Sequence, residues 1–153
     1  MADYLVNEII PYFGEDGLAC SESRLRLLIE RGVVNLPLEA VKLMSGLHGY
    51  MNGAGDRGAF CGAINGGIAA LGAAFGRYEA GVSNRDLYGL VEEFITRFEK
   101  EFGSTKCIGL VGATQQERED GQADCARYVI WAADKAARLI QEETRRRAKE
   151  KQK

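Results

Sequence analysis

Apolar residues in this chain recur three and four positions apart over long stretches, and short alternations of apolar and polar residues are rare. The clearest stripe consists of Leu87, Leu90, Val91, Phe94, Ile95, Phe98 and Phe102. Such spacing places apolar side chains on one face of an α-helix. Ser83 or Asn84 can cap this helix, and Gly103 can end it. The pattern therefore predicts an all-α fold with essentially no sheet.

The same reasoning divides the rest of the chain into helices. We expect helices within residues 3–10, 18–31, 37–47 and 59–76, a short element at Cys107 to Val111, and a last helix from about Gln122 onward. A chain of 153 residues without repeat or linker fits one domain. We predict a single-domain helical bundle of about five to seven helices, with residues 1–145 as a four-cysteine helical domain and 146–153 as a basic C-terminal tail.

Charge and hydropathy narrow the class of protein. The net charge of -2 gives no overall positive field that would attract nucleic acid. The first residues lack the basic and apolar regions of a signal peptide. The longest low-charge stretch, 59–75, is interrupted by glycines and is too short to span a membrane. The sequence predicts a cytoplasmic protein that binds neither nucleic acid nor membrane.

The four cysteines are Cys20, Cys61, Cys107 and Cys125, and no two of them form a CxxC pair. This spacing argues against a zinc ribbon, a thioredoxin-type motif and a covalent c-type haem site. In a reducing cytoplasm, structural disulfides are rare. The cysteines are then buried apolar residues, metal ligands or redox-active thiols.

The positions of the cysteines favour a shared site. Cys20, Cys61 and Cys125 lie near predicted helix N-termini on apolar faces, and Cys107 follows a predicted helix end. A helix N-terminus favours the thiolate, which both redox chemistry and metal binding require. Alternate helix ends in a bundle gather at one pole. We predict that at least three of the four sulfurs meet in one pocket, with Cys61 at its centre.

Glycines next to Cys61 add a second candidate feature. Gly62, Gly66 and Gly67 each weaken a helix by up to about 1 kcal/mol relative to alanine. They allow a close approach, either by a cofactor, with Gly62 and Gly66 binding it, or by another helix. The single histidine, His48, lies in the glycine-rich run 46–58, where it is either a further ligand or acid–base group or a solvated loop residue.

These residues resemble a known family, the redox-active proteins named for the pattern C_GCAxxG_C_C. The hexapeptide Cys61-Gly62-Ala63-Ile64-Asn65-Gly66 matches its CGAxxG core, and the other three cysteines stand in the family's order over residues 18–140. The resemblance implies a small helical protein with a redox role. A similar domain in split-Soret cytochromes, where an iron–sulfur cluster has been proposed beside haem, implies that this chain can hold a cluster.

Three functions follow from this reasoning. In the first, the four cysteines bind an iron–sulfur cluster or another metal, and the protein transfers electrons to a redox partner protein. In the second, the same four cysteines are catalytic thiols that cycle through disulfides. The third is a non-catalytic binding module with a structural metal site. The small-residue face at Ala69, Ala73 and Gly76 further predicts a homodimer.

Overall fold

The computed structural model describes Phe13 and residues 17–48, 60–112, 116–117 and 125–152. Six helices have their bounds there: α1 (Cys20–Glu30), a 3-10 helix (Leu38–Met44), α2 (Gly62–Phe75), α3 (Arg85–Phe102), α4 (Cys107–Val111) and α5 (Cys125–Glu150). Within these ranges, β structure is limited to two isolated bridges, Phe13 with Leu18 and Phe60 with Lys106. The predicted all-α bundle is confirmed. The helix predicted at 3–10 and most of the run 46–58 lie outside the described residues.

Three helices form the centre of the bundle. Helices α1, α2 and α5 pack against one another, α3 packs on α2 and α5, and the 3-10 helix packs on α1. Their apolar faces supply the fully buried side chains, among them Leu27, Leu28, Ile64, Leu71, Phe94, Phe98 and Val129. Burying one such side chain stabilises the fold by about 1.5–3 kcal/mol. The core therefore holds the N-terminal ends of α1 and α2 close together.

Helix α3 follows its sequence pattern closely. Asn84 precedes it, and Gly103 ends it with a φ of 78° in the left-handed region that favours glycine. Its residues Phe98 and Phe102 join Tyr128 and Trp131 of α5 in an aromatic cluster, with ring centroids 4.8–6.2 Å apart. Tilted and edge-on contacts of this kind add to the apolar burial. This cluster fixes α3 against α5.

The segment 37–47 differs from its prediction. It forms a 3-10 helix, Leu38–Met44, directly after Pro37. Its two buried side chains, Val41 and Met44, are three residues apart. A 3-10 helix has three residues per turn, so this geometry aligns the two side chains toward α1. An α-helix would align them less well over so short a segment.

The last helix is long. Helix α5 runs for 26 residues and includes residues 146–150 of the predicted tail. Arg146 and Arg147 both donate hydrogen bonds to Glu143, one turn earlier. None of the helices in the described ranges combines the length and the apolar character that a membrane span needs.

Candidate functional site

Each of the four cysteines lies at the first described residue of a helix or directly before it. Cys20 and Cys107 are the first residues of α1 and α4, and Cys125 is the first residue of α5 within the described range. Cys61 directly precedes α2 as its N-cap. The first turn of a helix has backbone N–H groups without intrahelical acceptors. Such groups of Ser21 and Gly62 reach the sulfur of Cys20, and that of Ala63 reaches the sulfur of Cys61.

A backbone contact joins the start of α2 to the start of α4. Phe60 and Lys106 form an antiparallel bridge. Beside it, the N–H of Cys61 donates a hydrogen bond to the carbonyl oxygen of Thr105 at 2.8 Å. Cys61 and Cys107 each follow this bridge by one residue. The two helix starts therefore lie side by side.

A second close approach joins the starts of α1 and α2. A Cβ added at Gly62 would overlap Sγ of Cys20 and would lie 3.0 Å from the backbone nitrogen of Ser21. It would also lie 3.1 Å from Cα of His48. Only a glycine leaves room for the Cys20 sulfur at this point. His48 is half-buried here, and burial lowers the pKa of its imidazole.

The electrostatics of the thiols link all four cysteines. Burial raises the pKa of Cys61, and the negative charges of Cys20, Cys107 and Cys125 raise it further. Burial also raises the pKa of Cys20 to about 11, with the charge of Cys107 as the next cause. Thiolates repel one another in this way only when they are near each other in a poorly solvated region. Of these three, Cys20, at the contact with Gly62, and Cys107, beside the Phe60–Lys106 bridge, have helix starts that adjoin that of Cys61.

The raised pKa values of Cys20 and Cys61 correct one prediction. Helix starts were expected to favour the thiolate, and backbone N–H groups do lower the pKa of both thiols, from Ser21 and Gly62 at Cys20 and from Ala63 at Cys61. Burial outweighs these hydrogen bonds, because a thiolate loses more hydration than they return. The prediction is therefore wrong for Cys20 and Cys61, whose pKa values lie above that of an ordinary thiol.

None of the four cysteines, all of which are described, forms a disulfide. Within the described ranges, no group of three or more histidine, cysteine or acidic side chains is arranged to hold a metal ion. The roles of Cys20, Cys61, Cys107 and Cys125 as metal ligands or catalytic thiols therefore stay predictions.

The grouping of four cysteines around a CGAxxG segment is also what a comparison with protein families detects. The family model described as "Putative redox-active protein (C_GCAxxG_C_C)" matches residues 18–139. The chain belongs to this family. The match spans all four cysteines, the first five bounded helices and the first 15 of the 26 residues of α5. No curated protein and no solved structure matches the chain.

In this member of the C_GCAxxG_C_C family, the glycines of the motif face helix α1. A Cβ at Gly66 would lie 2.8 Å from the carbonyl oxygen of Ser21 and 2.7 Å from Cγ of Arg24. The side chains and backbone of α1 thus fill the space that Gly62 and Gly66 leave. Tight helix packing, one of the two predicted uses of these glycines, is what the structure describes. Their binding of a cofactor stays a prediction.

Sequence reasoning missed Arg24. The segment from Ser21 to Leu28 is rich in charge and polar groups, which suggests a solvated face, yet Arg24 is 0% exposed. One signal was present in the sequence. Arg24 is one turn after Cys20 and one turn before Leu27 and Leu28, so it shares their inward face.

Proposed function

We propose that this protein transfers electrons through an iron–sulfur cluster bound by Cys20, Cys61, Cys107 and Cys125. The observation that carries the proposal is the meeting of the helix starts that bear Cys20, Cys61 and Cys107: Sγ of Cys20 lies against Gly62, and the N–H of Cys61 bonds to Thr105 at 2.8 Å. Membership of a redox-active family supports it. Four cysteine thiolates are the usual ligand set of such clusters.

The four cysteines and the backbone next to them fit an iron–sulfur cluster in two respects. Their donors are soft thiols, which iron–sulfur clusters and zinc select over oxygen ligands. The N–H groups of Ser21, Gly62 and Ala63 are directed at the sulfurs of Cys20 and Cys61, and hydrogen bonds to sulfur are one of the terms that set cluster potentials. Within the described residues, no group of side chains is arranged to hold a single metal ion. This argues against a zinc site more than against an iron–sulfur cluster, because a cluster spreads its cysteine ligands over a larger volume than a single ion does.

The protein has three tasks in this proposal. Its thiols release their protons on binding metal, which makes binding stronger as pH rises. Its helix starts, where Cys61 is buried and the other three cysteines are partly buried, limit the access of water to the site. Its surface meets a one-electron carrier protein, which gives or takes one electron per cycle, and no covalent bond to the protein changes. When bound, the cluster supplies the one-electron chemistry.

The test is anaerobic reconstitution with ferrous iron and sulfide. We expect wild-type protein to hold both and to absorb visible light, and Cys61→Ser to lose most of the bound iron. Ala70→Ser is the control, because Ala70 is fully buried in the same helix but away from the cysteines. Wild-type protein without iron or sulfide would contradict the proposal, as would Cys61→Ser with full iron content.

A second candidate, thiol–disulfide exchange, has one observation in its favour. Sγ of Cys20 lies against Gly62, the residue after Cys61. In this reaction the Cys20 and Cys61 thiols would form one S–S bond and lose two protons and two electrons to a small-molecule disulfide. That disulfide would be reduced to two thiols. A colourless protein whose thiols are oxidised reversibly by glutathione disulfide would favour this candidate.

We further propose that the protein works in the reducing cytoplasm and as a homodimer. Ala73 and Gly76 of the predicted dimer face are exposed, and Ala69 is partly exposed. A small-residue face of this kind lets a second helix approach closely. Light scattering at micromolar concentration should give twice the chain mass, and a single-chain mass would refute the dimer.

A further inference from the structure

Arg24 is the least satisfied charged group in the described part of the chain. Its side chain is 0% exposed and is among the largest that are fully buried. Nη1 donates a hydrogen bond to the carbonyl oxygen of Ala63 at 3.2 Å. Nε and Nη2 have no hydrogen-bond partner among the described residues. An arginine keeps its proton in proteins, so a full positive charge lies in the core with one hydrogen bond.

Helix α2 makes room for this charge at a cost to its own stability. Cβ atoms at Gly66 and Gly67 would lie 2.7 Å from Cγ and 2.9 Å from Nη2 of Arg24. Each glycine weakens the helix by up to about 1 kcal/mol. Phe94 covers the other side, with Cζ of Arg24 5.6 Å from the ring centroid. Leucine or methionine at position 24 would fill such a site without a charge, so packing alone does not account for arginine.

The charge lies beside the cysteines. Arg24 is one helical turn after Cys20, and the residue that accepts its hydrogen bond, Ala63, is two residues after Cys61. Burial lowers the pKa of Arg24, and the negative charge of Cys61 raises it in part. The anion that would balance Arg24 is therefore one that forms at the cysteines.

We infer that Arg24 is the internal counter-charge of the cysteine site, which compensates the negative charge that the site gains when thiolates bind their metal group. This inference rests on the proposed function. Arg24 is a positioning residue, since it acts on the site through its charge and through the α1–α2 contact. In the metal-free protein the same charge is uncompensated and lowers stability. Substitution of Arg24 must then act in opposite directions on the two states.

The experiment compares Arg24→Met and Arg24→Lys with wild type and with Arg26→Met. Arg26 is the matched control, because it lies on the same helix, is partly exposed and pairs with Glu30 at 2.8 Å. Each protein is measured metal-free by thermal unfolding. Each is then reconstituted anaerobically with ferrous iron and sulfide for metal content, iron affinity and midpoint potential.

We expect metal-free Arg24→Met to melt at or above the wild-type temperature, and yet to bind iron about 10- to 100-fold more weakly, as for other groups next to a ligand shell. Any cluster that it retains should have a lower midpoint potential, because the reduced, more negative state loses more stabilisation. Arg24→Lys should recover part of the affinity and potential. Arg26→Met should match wild type in iron affinity and potential.

Two results would overturn the inference. One is a metal-free Arg24→Met protein that melts at a lower temperature or fails to fold, which would make Arg24 a structural residue. The other is full iron affinity with an unchanged potential in Arg24→Met. Wild-type protein that takes up no iron would contradict the proposed function and the inference with it, whereas the two results above would contradict the inference alone.

Discussion

Two buried charged side chains in different parts of the bundle differ in whether other residues compensate their charge. Glu143 in α5 is 7% exposed and accepts hydrogen bonds from Arg146 at 2.7 Å and from Arg147 at 2.6 Å. Arg24 in α1 is 0% exposed and donates one hydrogen bond, to a backbone carbonyl. The Glu143 cluster is balanced within the protein, whereas the charge of Arg24 is not.

This difference distinguishes a charged group that has its partners within the protein from one that points to a function. A carboxylate with two guanidinium partners has all the compensation that it needs, and the cluster also reaches Asp86 of α3 at 3.8 Å from Arg146. Because Asp86 is 68% exposed, this ion pair adds little to the contact between α3 and α5. An unsatisfied buried charge is rare in native proteins and marks strain or a functional site. Arg24 lies one turn after Cys20 and bonds to Ala63, two residues after Cys61, which agrees with this distinction.

The largest loss of stability is expected from a substitution at Gly62, where α1 and α2 meet at the cysteines. In Gly62→Ala the new methyl group would overlap Sγ of Cys20 and press on the backbone of Ser21. Because backbone cannot move aside as a flexible side chain does, we expect a loss of about 2–3 kcal/mol in the free energy of unfolding. Urea denaturation of the metal-free protein measures it.

Gly72→Ala is the matched control for this prediction. Gly72 lies in the same helix, and nothing stands within 4 Å of its Cβ position. Alanine there should stabilise the helix by up to about 1 kcal/mol. If both substitutions had the same effect, the close approach of Cys20 to α2 would not be a constraint on the fold.

The sequence predicted the fold where local patterns decide the structure. The stripe from Leu87 to Phe102 formed α3, Gly103 ended it, and Cys20, Cys61 and Cys125 were expected near helix starts. Periodicity, capping and glycine at a left-handed position are properties of neighbouring residues, and they can be read without a structure.

What the sequence could not supply depends on partners that are distant along the chain. Arg24 is buried because Gly66 and Gly67, more than forty residues later, leave room for it. Burial of the cysteines outweighs the helix-start effect because several helices cover them at once. The glycine spacing did predict a close approach, but it did not say whether a helix or a cofactor would make it.

A smaller loss of stability is expected when the Glu143 cluster is disturbed. In Glu143→Gln the two guanidinium groups lose an anion but keep a hydrogen-bond acceptor. The side chains of Arg146 and Arg147 are 48% and 37% exposed, so water can replace part of the lost interaction. We therefore expect a loss of about 1 kcal/mol in the free energy of unfolding near neutral pH. Glu142→Gln, at the exposed neighbouring glutamate, should change it little.

The pH dependence of this loss identifies its source. Hydrogen bonds from Arg146, and then from Arg147, lower the pKa of Glu143 from its ordinary 4.5 to about 2. A carboxyl group whose pKa is lower in the folded state stabilises that state fully above its unfolded pKa, and this contribution disappears as pH falls through the folded pKa. The stability gap between wild type and Glu143→Gln should thus be constant above about pH 5.5 and narrow from about pH 4.5 toward pH 2. Urea denaturation at a series of pH values measures the gap. A gap that stays the same down to about pH 3 would mean that Glu143 contributes by packing and not by its charge, and the contrast with Arg24 would then lose its electrostatic basis.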